Sequence, residues 1–134
     1  TPEHVELVRG NFKNHMRISI SMPPAFGAET VHHILTTPAL RADWEAELAT
    51  MRDQVNNSRA GFAEVLKAKT GSDRFDFIGR QRGMFSLLGL SDAQVASLRN
   101  DHAIYVVGGG RVNMAGLRAD QYEVFADALL AVGA

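Results

Sequence analysis

Ala103-Ile104-Tyr105-Val106-Val107-Gly108-Gly109-Gly110-Arg111-Val112-Asn113-Met114 decides the class of this chain. Ala103 to Val107 is an apolar, β-branched run of the kind that suits a pleated, half-buried strand. Three glycines break it, and Arg111 to Met114 resumes it. Upstream, Phe75-Asp76-Phe77-Ile78 and Met84-Phe85-Ser86-Leu87-Leu88 are two more short strand-like runs, separated by the charged loop Arg80-Gln81-Arg82-Gly83 and expected to pair as antiparallel neighbours. Between these runs Ser91 and Gln94 stand three apart, the spacing of a capping box, and open a helix through Leu98. Tyr122 to Val132 closes the chain with another helix. Strands interleaved with helices in this way make the class α+β.

Toward the N-terminus the pattern is helical. Thr1-Pro2 reads as an N-cap with proline at the first helical position, followed by Val5, Val8 and Phe12 on one face. Arg17-Ile18-Ser19-Ile20-Ser21 alternates apolar and polar residues up to Met22-Pro23-Pro24, where the prolines enforce an extended path. Gly27 to Leu35 regains helical character. Thr37-Pro38 starts the longest helix, which runs to about Lys69 with Trp44, Leu48, Met51, Val55, Phe62 and Leu66 as an apolar seam that should be packed.

The 134 residues carry 14 basic and 15 acidic side chains, a formal net charge of -1 that provides no footprint for nucleic acid or an anionic membrane. No cysteine is present, so disulfides, thiolate metal sites and thiol nucleophiles are absent, a composition compatible with the cytoplasm. No apolar run approaches the roughly 20 residues that span a bilayer. The chain also opens without an initiator Met and enters a helical pattern at once, as a piece of a longer polypeptide would. His32 and His33 are adjacent and point to different helix faces, which does not suit a zinc pair, and no metal ligands are assigned. Gly108-Gly109-Gly110 does not continue as a Rossmann phosphate loop, because Asn113 stands at the position of the third glycine. The triple glycine is either a turn between strands or a clearing that lets a ligand approach Arg111. Arg111 and Arg17 are candidate carboxylate binders, since a guanidinium offers a planar fork and keeps its charge when desolvated, although most arginines are solvated surface charges.

Three stretches in order, Arg17 to Ala28, Gln81 to Ser86 and Gly110 to Leu117, resemble class I pyridoxal-phosphate aminotransferases of the aspartate and aromatic type. Pro38 to Leu48 and Gly89 to Val95 resemble the same family's connecting helices, so the likeness covers essentially the whole chain. The resemblance implies the C-terminal part of such an enzyme. Residues 1-35 would be the end of a large cofactor domain, and residues 36-134 a small domain in which a long helix leads into short, largely antiparallel strands and helices. It implies that Arg111 binds the α-carboxylate of the substrate, that Arg17 reaches a distal carboxylate in the neighbouring subunit of a homodimer, and that Ser21 and Phe85 lie beside the substrate. The family's cofactor groups precede Thr1, and Lys13, Lys67 and Lys69 lie in no comparable context. Pyridoxal phosphate is therefore expected in the full-length enzyme and not on this chain alone, which would be inactive in exchanging an amino group between an amino acid and a 2-oxo acid. Met22 and Ile20 depart from common residues of the family. Gln81 to Ser86 looks closer to aromatic-preferring members, whereas Arg17 is shared with the aspartate type. The competing reading is a non-catalytic module that binds carboxylates or associates with itself.

Overall fold

A computed structural model describes all 134 residues, Thr1 to Ala134. The chain forms two compact units, Thr1–Glu45 and Ala46–Ala134.

In the first unit, helix α1 spans Pro2–Ser19, and the Thr1 hydroxyl accepts from the His4 amide, as the threonine-proline start predicts. The alternation at Arg17 to Ser21 does not produce an extended segment, because α1 continues through Ser19. The Ile20 and Ser21 amides still bond back to α1 carbonyls, and the chain leaves the helix at Ser21, whose φ is 63°. Helix α2 covers Phe26–Thr36. Neither helix buries a residue. Val5, Val8, Phe12 and Met16 instead form an exposed apolar row along α1.

Helix α3, Pro38–Thr70, starts in the first unit and runs on into the second. Its apolar seam has two different fates. Phe62 and Leu66 are fully buried, whereas Trp44, Leu48 and Met51 are about half exposed, so only the later part of the seam is packed within this chain. The aromatic rings of Phe62 and Phe125 stack with centroids 5.1 Å apart, and the Tyr122 ring meets Phe62 tilted at 5.9 Å. Gly61 makes that approach possible, because a Cβ there would lie 2.9 Å from the Tyr122 ring. Phe125 belongs to α6, Tyr122–Ala131, which also contributes Leu129 to the core. Burying each such side chain stabilises the unit by about 1.5–3 kcal/mol.

The Phe75 to Ile78 run forms a turn and a short helix, α4, Phe77–Arg80, and not a strand. Its apolar side chains are used at helical spacing, with Phe75 and Ile78 both buried. Strand β1, Phe85–Leu87, therefore pairs elsewhere, antiparallel to β2, Arg111–Asn113. The register sets Phe85 opposite Asn113, Ser86 opposite Val112 and Leu87 opposite Arg111. Ser86 and Val112 face inward, whereas the four flanking residues face outward. The Ala103 to Val107 run is likewise not a strand, apart from a bridge from Val107 to Arg111. It follows α5, Asp92–His102, directly through Ala103 in a left-handed conformation, which leaves too little regular backbone for a ladder. The predicted capping box of Ser91 and Gln94 is present, and α5 extends one turn beyond Leu98. The result is a largely helical α+β unit with one two-stranded ribbon.

Candidate functional site

The triple glycine sets the geometry of the site. Gly109 and Gly110 both have φ near 73°, and their carbonyls accept from the amides of Leu88, Gly89 and Leu90. A Cβ on Gly110 would lie 2.6 Å from Leu90 Cγ. These glycines thus let a hydrogen-bonded turn close against the segment after β1, while Gly108 faces open space. Arg111 leaves this turn at the first residue of β2, with its amide bonded to the Val107 carbonyl.

The Arg111 side chain points outward from the ribbon, and its Cζ lies 5.2 Å from the centroid of the Phe85 ring. Phe85 is diagonal to Arg111 across the ladder, since each occupies an outward position of adjacent strands. Arg111 lines a cleft of about 420 Å³ whose other walls include Ile104, Tyr105, Asn113, Leu117 and Val124. That volume falls in the range of small-ligand sites. Asp120 also lines the cleft, but its carboxylate accepts from Arg118 Nε at 3.0 Å. Arg9, Arg41 and Arg52 are similarly matched to Glu6, Glu45 and Asp53. Arg111 has no carboxylate partner within the chain and retains its hydrogen-bonding fork.

Arg17 lies in the last turn of α1 and Ser21 two residues past its end, in the first unit, and both are exposed. The Ser21 amide bonds to the carbonyls of Met16 and Arg17, which ties the two candidates into one local turn. Arg17, like Arg111, has no acidic partner within its chain. Arg111 and Phe85 form the second local pair.

A third arginine did not stand out in the sequence. Arg59 is 1% exposed in the middle of α3. Its Nε and Nη2 donate to the Gly83 carbonyl, Nη2 also donates to the Phe85 carbonyl at 2.8 Å, and Nη1 donates to the Ile78 carbonyl and the Ser86 hydroxyl. The Ser86 hydroxyl in turn donates to Gln81 Oε1 at 2.7 Å. Burial, and then the neighbouring charge of Arg82, hold the Arg59 pKa below its ordinary value. The signal that would have revealed it is its place in the seam, between Val55 and Phe62 at helical intervals of four and three, where an arginine needs buried acceptors.

The family model described as aminotransferase class I and II matches residues 6–129. The chain is 42% identical over 128 residues to the aromatic-amino-acid aminotransferase of Paracoccus denitrificans, covering 96% of this chain and 32% of that protein. It is 41% identical over 130 residues to the aspartate aminotransferase of Escherichia coli (strain K12), covering 97% of this chain and 33% of that protein. Its structure matches an aromatic amino acid aminotransferase solved with 3-indolebutyric acid at a TM-score of 0.91, with 42% identity over 96% of this chain and 33% of the other. An aspartate aminotransferase from Trypanosoma cruzi matches at 0.86, with 34% identity over 98% of this chain and 33% of the other. The chain spans about a third of the length of the curated relatives it matches.

Proposed function

The chain belongs to the class I and II aminotransferases, and from that premise we propose that it is the substrate-binding C-terminal portion of an aspartate or aromatic amino acid aminotransferase. The observation that carries this reading is the unpaired Arg111 fork lining a cleft of mixed polar and apolar walls, with the Phe85 ring beneath it. An arginine in that setting binds a carboxylate through two parallel charge-assisted bonds. Arg111 takes the α-carboxylate common to amino acids and 2-oxo acids, and Phe85 walls the substrate. Two solved relatives illustrate the side chains such a site meets, one with 3-indolepropionic acid and one cocrystallised with aspartic acid.

Arg17 and Ser21 serve a second carboxylate subsite shared between the subunits of a homodimer. Support comes from the free Arg17 fork and from the exposed apolar row of α1, a surface that favours association. In the same reading residues 1-35 belong to a large cofactor domain and residues 36-134 to a small one, in a cytoplasmic enzyme. No helix of this chain is long and apolar enough to cross a membrane.

One solved relative is covalently bound to pyridoxal phosphate. That group supplies an electron sink for amino-group chemistry and is held through a lysine amine. The Arg111 cleft has no lysine in its lining, Lys67 is paired with Asp73, and Lys69 with Glu123 and Asp127. The part of this chain's residues in that chemistry is recognition and orientation of the substrate.

The test is an amino-transfer assay from aspartate and from phenylalanine to 2-oxoglutarate, with pyridoxal phosphate added, on this chain and on a longer polypeptide that contains it. Transfer by the longer polypeptide alone, lost with Arg111→Gln, is the expected result. Turnover by the 134-residue chain, or an Arg111→Gln enzyme with unchanged KM, would contradict the proposal. The self-associating, non-catalytic module gains support if no longer polypeptide transfers amino groups and the chain dimerises in a concentration-dependent way.

A further inference from the structure

We propose that Arg59 is the positioning residue of the substrate site: it fixes β1 so that the Phe85 ring lies under the Arg111 guanidinium. This rests on the reading of Arg111 as the carboxylate-binding residue.

The loop from α4 to β1 turns several carbonyls inward, where no sheet ladder can satisfy them. One planar guanidinium reaches them together. Arg59 takes the last turn of α4 at Ile78, the loop at Gly83 and the strand at Phe85, and its bond to Ser86 holds the inward side chain between Phe85 and Leu87. The Ser86 hydroxyl passes the constraint on to Gln81. No carboxylate competes for the fork, so all of its hydrogen bonds go to this one segment. The ladder carries the placement across to β2 through the pairing of Ser86 with Val112 and Leu87 with Arg111, and the Met114 amide extends it by donating to the Met84 carbonyl at 2.7 Å. A lysine would keep the charge but could not span the loop, since its ammonium is a single point donor. Displacing β1 leaves the Arg111 charge in place and removes its ring support and aim. The consequence is weaker holding of the carboxylate in substrate and transition state alike, which raises KM and leaves kcat nearly unchanged.

The experiment compares Arg59→Lys, Ser86→Ala and Arg111→Gln with the unchanged protein, each in the polypeptide that carries this chain in full. It measures 3-indolepropionate affinity by calorimetry, KM and kcat for the amino acid, thermal unfolding, and the ring-current shift of the Arg111 side-chain protons over Phe85. Arg59→Lys is expected to unfold cooperatively, to lose the ring-current shift, and to bind 3-indolepropionate about tenfold more weakly, the scale of one lost charge-assisted hydrogen bond, with kcat within about twofold. Ser86→Ala, a milder change, is expected to weaken affinity about threefold. A folded Arg59→Lys protein with unaltered affinity, KM and ring-current shift would overturn the proposal. If Arg59→Lys does not fold, unaltered affinity in Ser86→Ala overturns it. An unchanged protein that does not bind 3-indolepropionate, or an Arg111→Gln variant that binds it normally, would remove the Arg111 reading and this proposal with it. Loss of binding in Arg111→Gln alone would remove only the role of Arg59.

Discussion

The Arg111 guanidinium stands 5.2 Å from the centre of the Phe85 ring, diagonally across a ribbon of only three residues per strand. The face of an aromatic ring attracts a cation and restricts it without using its hydrogen-bond donors. The arrangement therefore orients the fork while leaving it free for a carboxylate.

Replacing Phe85 with leucine keeps an apolar wall and removes the ring face. The expected loss is about 0.5–1 kcal/mol of carboxylate binding, or roughly two- to fivefold in affinity. Calorimetry with 3-indolepropionate measures it, provided the variant unfolds at the same temperature. An affinity equal to that of the unchanged protein would show that the ring contributes nothing to Arg111.

The turn ahead of Arg111 depends on Gly110 more than on Gly108. Gly110→Ala combines a left-handed φ with a Cβ 2.6 Å from Leu90 Cγ, and should destabilise the fold by about 2–4 kcal/mol. Gly108→Ala meets no atom within 4 Å and should stay within about 0.5 kcal/mol. Urea unfolding of the pair decides the matter, and equal midpoints would remove the packed turn from the account.

Lysine ion pairs make stability depend on alkaline pH. Hydrogen bonds to Asp127 and Glu123 raise the Lys69 pKa above its ordinary value, and a hydrogen bond to Asp73 does the same for Lys67. A raised folded-state pKa contributes stability that is fully present below the unfolded value, about 10.4, and is lost as pH rises through the folded value. The unfolding temperature should therefore fall above that pH, and the fall should be shallower in Lys69→Gln. An identical alkaline profile in the variant would rule out the Lys69 pairs as a cause.

Residues whose partners are close in sequence were the readable ones. Thr1 caps α1, and Ser91 and Gln94 complete their capping box, because these signals act over three or four residues. The α+β class was legible because Met84 to Leu88 and Arg111 to Met114 do supply the strands β1 and β2. The strand pairing was not: Phe75 to Ile78 has the composition of a strand, but tertiary burial of Phe75 and Ile78 made it a turn and a short helix. At the site, Arg111 was legible as a candidate from its chemistry and its place after the triple glycine, and Phe85 through family resemblance, while their contact followed only from the β1–β2 register. Arg59 escaped notice because its acceptors lie 19 to 27 residues away, on a loop whose course composition does not specify.

The most direct measurement is a titration of this chain with 3-indolepropionate, followed through the Arg111 Nε–H resonance and repeated with Arg111→Gln by calorimetry. The account predicts a saturable shift at Arg111 and a loss of at least about tenfold in affinity in the variant, the scale of a carboxylate held by charge-assisted bonds. An unmoved Arg111 resonance at saturating ligand, or equal affinity in Arg111→Gln, would contradict the claim that this arginine is the carboxylate site.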